Sequence, residues 1–194
     1  NVRDVDIELS SDDVIHVVWV GAEDTGVFYR QKKGANWQLE KEVYNLEDAD
    51  QLEDGNVDMK CFKLSDGDEL LGLAVGYTTQ DNSYVYYAWK EVSEQTFSHS
   101  FLVKKESLNE MCEVALALYN DKATVVFTHP GGKGALRYST YDAQIPDAGS
   151  WEGSIVEVDD GGCPLCGRRD PFAVVADGKV YVLYKYSEYP SASF

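Results

Sequence analysis

The stretch "VDMKCFKLSDGDELLGLAVGYTTQDNSYVYYAWKEVSEQTFSHSFLV", residues 57–103, decides the fold. It holds a short apolar run from Met59 to Leu64, the polar turn "SDGDE", and a strongly apolar run, "LLGLAVGY". A third run, "VYYAW", carries Tyr87, and a fourth follows the aromatic of "EQTF", Phe97. β-Branched and aromatic runs punctuated by Gly, Asp and Asn are strand signals, so the stretch predicts four consecutive antiparallel strands. No window of a dozen residues has helical periodicity. "SLNEMCEVALALY", residues 107–119, comes nearest, and its place in the repeat described next makes it a strand.

The same layout occurs on both sides. From Val5 the chain reads "VDIELSSDDVIHVVWVGAEDTGVFYRQKKGANWQLEKEV". From Cys112 it reads "CEVALALYNDKATVVFTHPGGKGALRYSTYDAQIPDAGSWEGSIVEV". The third strand of each unit carries a tyrosine, Tyr29, Tyr87 or Tyr138, and the turn after it leads to Trp37, Phe97 or Trp151. A last segment, "RDPFAVVADGKVYVLYKYSEYP" from Arg169, holds only the first half of a unit. A four-stranded unit recurring roughly every 40–60 residues marks a β-propeller blade. The expectation is one all-β, β-propeller-like domain over residues 1–194, with three full four-stranded blades and a partial fourth. The units run approximately over residues 4–56, 57–111, 112–168 and 169–194. An incomplete last blade leaves an open strand edge, which invites pairing with a second copy of the chain or marks a stretch of a longer propeller.

Composition bounds the partners. The formal net charge is -17, from 17 Lys and Arg against 34 Asp and Glu. Nucleic acid and anionic membranes both need a cationic face, so neither is expected as a partner. No run of about 18 apolar residues exists, so no membrane span is predicted. The chain opens on Asn1 without a secretory leader and reads as a mature product, a trimmed chain or a fragment. A secreted or extracellular location is the expectation.

Acidic residues recur where each first strand begins: Asp4, Asp58, Glu113 and Asp170. First strands line the central channel of a propeller, so these carboxylates should converge at its mouth. Converging carboxylates need a cation, arginines or raised pKa values, and Arg3 and Arg169 stand beside two of them. The alternatives are a Ca²⁺ or a sugar-hydroxyl site, a catalytic carboxyl pair, or a repeated brace in which each carboxylate accepts backbone N–H groups. The candidate ligand-binding set is Asp4, Asp58, Glu113, Asp170, Arg3 and Arg169. The candidate catalytic set is Asp4, Glu113 and Asp170. "CPLC" is the lone C-x-x-C pair of the chain, where a tetrahedral zinc site needs four ligands. A disulfide between Cys163 and Cys166 bracing the loop before the fourth blade is expected, with plain thiols as the alternative. Cys61 and Cys112 are expected as small buried residues, and His16 as an inter-blade or core residue.

The turns "KKGANW" (residues 32–37) and "PDAGSW" (residues 146–151) keep the Gly and Trp of the repeat motif of sialidase-like propellers, which this chain resembles. The resemblance implies a structural turn with its Trp packed between blades. It does not imply sialidase activity, because that family uses six blades and several spaced arginines, and this chain is short and has only Arg3, Arg30, Arg137, Arg168 and Arg169. "RRDP" is similar in turn to the blade start of five-bladed arabinanase- and fructosidase-type hydrolases. That likeness implies a sugar-holding role for Asp170 and an acid-like position for Glu113. The expected function is a carbohydrate-binding, lectin-like propeller without catalysis and with a glycan partner. A glycoside hydrolase using the blade-start carboxylates and a protein-interaction scaffold are the other classes.

Overall fold

The computed structural model describes residues 2–21, 25–43, 46–97, 99–107, 113–128, 136–144, 155–159 and 166–188. They form four antiparallel sheets in chain order. The first consists of β1 (Val2–Leu9), β2 (Val14–Gly21) and β3 (Gly26–Lys33), with its outer strand split into β4 (Asn36–Trp37) and β5 (Lys41–Glu42). The second runs β6 (Asp54–Lys63), β7 (Glu69–Thr78), β8 (Ser83–Glu91) and β9 (His99–Glu106). The third runs β10 (Val114–Tyr119), β11 (Lys122–Thr128), β12 (Leu136–Asp142) and β13 (Val156–Asp159). The fourth holds β14 (Cys166–Ala176) and β15 (Lys179–Glu188). Three full blades and a partial fourth are therefore present, as the repeat predicts. Among the described residues no helix is long and apolar enough to cross a membrane.

The hairpins follow from turn chemistry. Asn120–Asp121 and Asp177–Gly178 all have positive φ, which a two-residue type I′ turn requires and which Asn, Asp and Gly tolerate best. The same polar turns tie blades together. Ser11 donates its backbone N–H and its hydroxyl to Glu69 of the second blade. Ser65, at the same turn position one blade later, donates both to Asp121 of the third blade.

The core lies between blades. Val57, Met59, Leu73 and Val75 pack on Val18, Val20 and Tyr29, and Leu116, Val125 and Phe127 pack on Leu70, Ala74 and Tyr87. Strand alternation dictates this, since each blade offers one set of residues to its predecessor and the other to its successor. Backbone pairing places Tyr29 opposite Val18, Tyr87 opposite Ala74 and Tyr138 opposite Val126, so the three tyrosines share one register. The acids do not. The residue in register with Asp4 is Asn56, and Asp58 matches Asp6. The first unit is two residues shorter at this point than even spacing of the acids suggests.

Two local expectations need correction. The acidic run "NLEDADQLEDGNVD", residues 45–58, reads in the sequence as a solvated loop linking the first and second blades. Its end instead forms β6, and Ala49 and Leu52 are buried around a 3-10 turn, Ala49–Gln51. There the Glu47 carbonyl accepts from the Tyr77 hydroxyl, and the Asp48 carboxylate accepts from Tyr84 at 2.6 Å. Trp37 is not packed between blades but stands exposed on the open face of the first blade, below the Arg30 guanidinium at 5.4 Å. Trp151, Cys112, Cys163 and the side chain of Cys166 lie outside the described residues, and with them the expected disulfide. Cys61 is half-buried and free, and burial pushes its thiol up to about 12.

Candidate functional site

Two places gather chemistry, the inner strands and the cleft between the third and fourth blades. Along the inner strands the acids act as braces. Asp4 Oδ2 accepts the Val57 N–H at 2.9 Å, and Asp6 Oδ2 accepts the Met59 N–H at 2.6 Å. One blade on, Asn56 Oδ1 accepts from Val114 and Asp58 Oδ2 from Leu116, both at 2.7 Å. The second oxygens of Asp4 and Asp6 accept the next N–H of their own strand, Val5 at 2.9 Å and Ile7 at 2.8 Å. Inner strands of adjacent blades are too far apart for a direct ladder, and a two-carbon carboxylate spans the gap. Buried N–H groups demand such partners.

Lys60 sits amid these acids, bonded to Asp58 and lying 3.6 Å from Glu8 and 3.8 Å from Asp6. Burial opposes its charge, but the pull of Asp58, Asp6 and Glu8 outweighs it and holds the ammonium above its ordinary value. Burial raises Asp58, and Lys60 and the Leu116 N–H pull it back. Burial likewise raises Glu8. Lys60 thus supplies a cation to Asp6, Glu8 and Asp58. Among the described residues no group of three His, Cys, Asp or Glu is arranged to hold a metal ion.

The remaining sequence candidates scatter. Arg3 lies 3.5 Å from Asp54 in an exposed pair. Glu113 is half-buried at the head of β10, with its N–H donated to the Thr128 hydroxyl at 3.0 Å. Asp170 stands one blade on from Glu113 by backbone register, where the β14–β15 ladder is interrupted between Arg169 and Phe172. The side chains of Arg169 and Asp170 lie outside the described residues. The ladder's second acid disappears in this direction, since Ala115 and Phe172 stand where Asp6 and Asp58 do.

The cleft has a volume of about 620 Å³. Tyr119, Asn120, Lys122 and Thr124 come from the β10–β11 hairpin, Tyr138 and Thr140 from β12, and Val180 and Val182 from β15. In it the repeat tyrosine is less covered than at the other two interfaces. Between the first and second blades, Tyr29 packs edge-on to Phe97 at 5.2 Å and below the Lys90 ammonium at 4.9 Å. Between the second and third, Tyr87 is fully buried and donates to the Ala143 carbonyl at 2.8 Å. At the third interface the described residues of the fourth blade form β14 and β15, and Tyr138 is half-buried. The lining is polar as well. Thr124 and Thr140 share a hydrogen bond of 2.8 Å, and Lys122 pairs with Asp142. Thr124 occupies the register of Gly72 in the second blade, and Lys122 that of Leu70. Polar residues in blade-facing registers were the available sequence signal, and sequence reasoning passed over them.

His16 is buried between the first two blades, as expected. Tyr29 donates to Gln31 Oε1 at 2.7 Å, which leaves its oxygen to accept from His16 Nδ1 at 2.6 Å. Among the described residues Nε2 of His16 has no hydrogen-bond partner, and burial, aided by Lys90, lowers its pKa to about 4.

No protein-family model matches the chain. No curated protein matches it. Among solved structures it is similar to a point mutant of the Aleuria aurantia lectin in complex with alpha-methyl-L-fucoside. The TM-score is 0.53 at 10% identity, over 93% of this chain and 53% of the lectin chain. The same lectin with Fucalpha1-6GlcNAc gives a TM-score of 0.53 at 10% identity, over 93% and 54%. At this identity the likeness shows the fold alone, a β-propeller, and the chain spans about half the lectin's length.

Proposed function

We propose that the chain is a carbohydrate-binding, lectin-like propeller without catalysis, with its sugar in the cleft between the third and fourth blades. The observation that carries this reading is the half-buried Tyr138 beside the Thr124–Thr140 pair, Asn120 and Lys122. Sugars need an apolar ring face for their C–H surface and convergent donors and acceptors for their hydroxyls, and the cleft offers both. The similar lectin holds fucosides, which supports the class of ligand at the level of the fold. The inner carboxylates are braces in this reading. Both oxygens of Asp4 and of Asp6 accept backbone N–H groups, which supports a bracing role for these two carboxylates.

A glycan array with and without EDTA tests the proposal, together with a turnover assay on each bound glycan. Specific binding that persists in EDTA, with no product formed, is expected, because the cleft is lined by Tyr, Thr, Asn, Lys and Val side chains rather than carboxylates. A blank array would overturn the lectin reading, and turnover abolished by Asp170→Ala would replace it with the hydrolase one.

A further inference from the structure

Both terminal blade faces are built as interfaces and left bare. Val5, Ile7 and Leu9 on β1 occupy the registers of Val57, Met59 and Cys61 on β6, the residues that an interior blade turns to its predecessor. Val57 and Met59 are 5% and 0% exposed, whereas Val5, Ile7 and Leu9 are 51%, 60% and 58% exposed. Trp37 and Leu39 extend the same face. At the other end Phe172, Val174, Tyr181 and Leu183 form the outward face of the fourth blade, with Phe172 and Leu183 54% and 62% exposed. Stacked repeats stay soluble when their end units carry polar outer faces, and neither end does so here.

We propose that these two faces meet in a second copy of the chain, so that the fourth blade of each copy covers the first blade of the other. The register supplies the argument. One end offers what interior blades present to a predecessor, and the other what they present to a successor. The contact therefore continues the inter-blade packing already inside the chain. A head-to-tail contact made twice closes with two-fold symmetry and leaves no face open. This inference does not rest on the carbohydrate reading.

Sedimentation equilibrium of the 194-residue chain at tens of micromolar, compared with Ile7→Lys and Leu183→Lys, tests it. Both substituted side chains are exposed, and far-UV circular dichroism checks that each variant stays folded. The wild type is expected at twice 21.7 kDa, with each variant's dimer Kd raised at least tenfold. Mixing the two variants should restore dimer, because each mixed pair keeps one wild-type contact. A folded wild-type monomer would overturn the proposal. Dimers lost in Ile7→Lys but kept in Leu183→Lys would overturn it in favour of first blade against first blade.

Discussion

Asp58 shows how one side chain sets the geometry of two blades. Its carboxylate takes the Leu116 N–H of the next inner strand and holds the Lys60 ammonium. Replacement by Ala orphans that N–H and leaves Lys60 without its nearest partner. A loss of about 1–3 kcal/mol is expected in urea unfolding, and Asp58→Asn, which keeps an acceptor, should lose less. Lys90 is the counterpart at the first interface. It is fully buried, donates to the carbonyls of Glu91, Val92 and Glu94, and burial lowers its pKa to about 8. The unfolded chain binds more protons at this site between pH 8 and roughly 10.4, so stability should rise across that window. His16, lowered to about 4, acts with the same sign at lower pH. Its stabilisation is complete above about pH 6.5 and is lost as the pH falls towards 4. Chemical unfolding against pH should show both rises. Lys90→Met should flatten the upper one and reduce the lower one without removing it, because burial is the larger cause of the His16 shift and Lys90 the smaller.

At the scale of strands and turns, the blades were legible because period-two alternation and turn residues act locally. The tyrosines aligned because each sits at a constant distance from its own hairpin. Asp58 was aligned with Asp4 although it matches Asp6. A shift of two keeps a side chain on the same face, so the pattern cannot reject it. The 3-10 turn at Ala49–Gln51 escaped notice because its order comes from Tyr77 and Tyr84, residues of the next blade. The second and third blades meet closely at Gly72. A Cβ there would lie 2.9 Å from Leu118 Cδ1, 3.2 Å from the Tyr87 hydroxyl and 3.3 Å from Leu116 Cδ2. Gly72→Val should overpack this interface and cost about 1–3 kcal/mol or more, read as a lower urea midpoint with unchanged slope.

At the scale of the whole molecule, the candidate site follows from how the repeat tyrosine is covered at each interface among the described residues. A blade count could be read from the repeat, but a cleft beside a less covered tyrosine could not, because it depends on which tyrosine has a neighbour. That is why the inner acids drew the functional reading from the sequence. Regularly repeated charges stand out in a linear pattern, and the structure spends them on backbone N–H groups. Tyr138 shares its register with Tyr29 and Tyr87 and differs from them in having no aromatic or carbonyl partner from the next blade among the described contacts.

The decisive measurement is calorimetric titration of the best glycan from the array into the wild type, Tyr138→Ala and Asp4→Asn. Tyr138→Ala is expected to weaken binding roughly tenfold or more, from about 0.5–1.5 kcal/mol of aromatic contact plus the apolar area lost. Asp4→Asn is expected to bind as the wild type does. Binding lost in Asp4→Asn and retained in Tyr138→Ala would contradict the account and return the ligand to the ring of inner carboxylates.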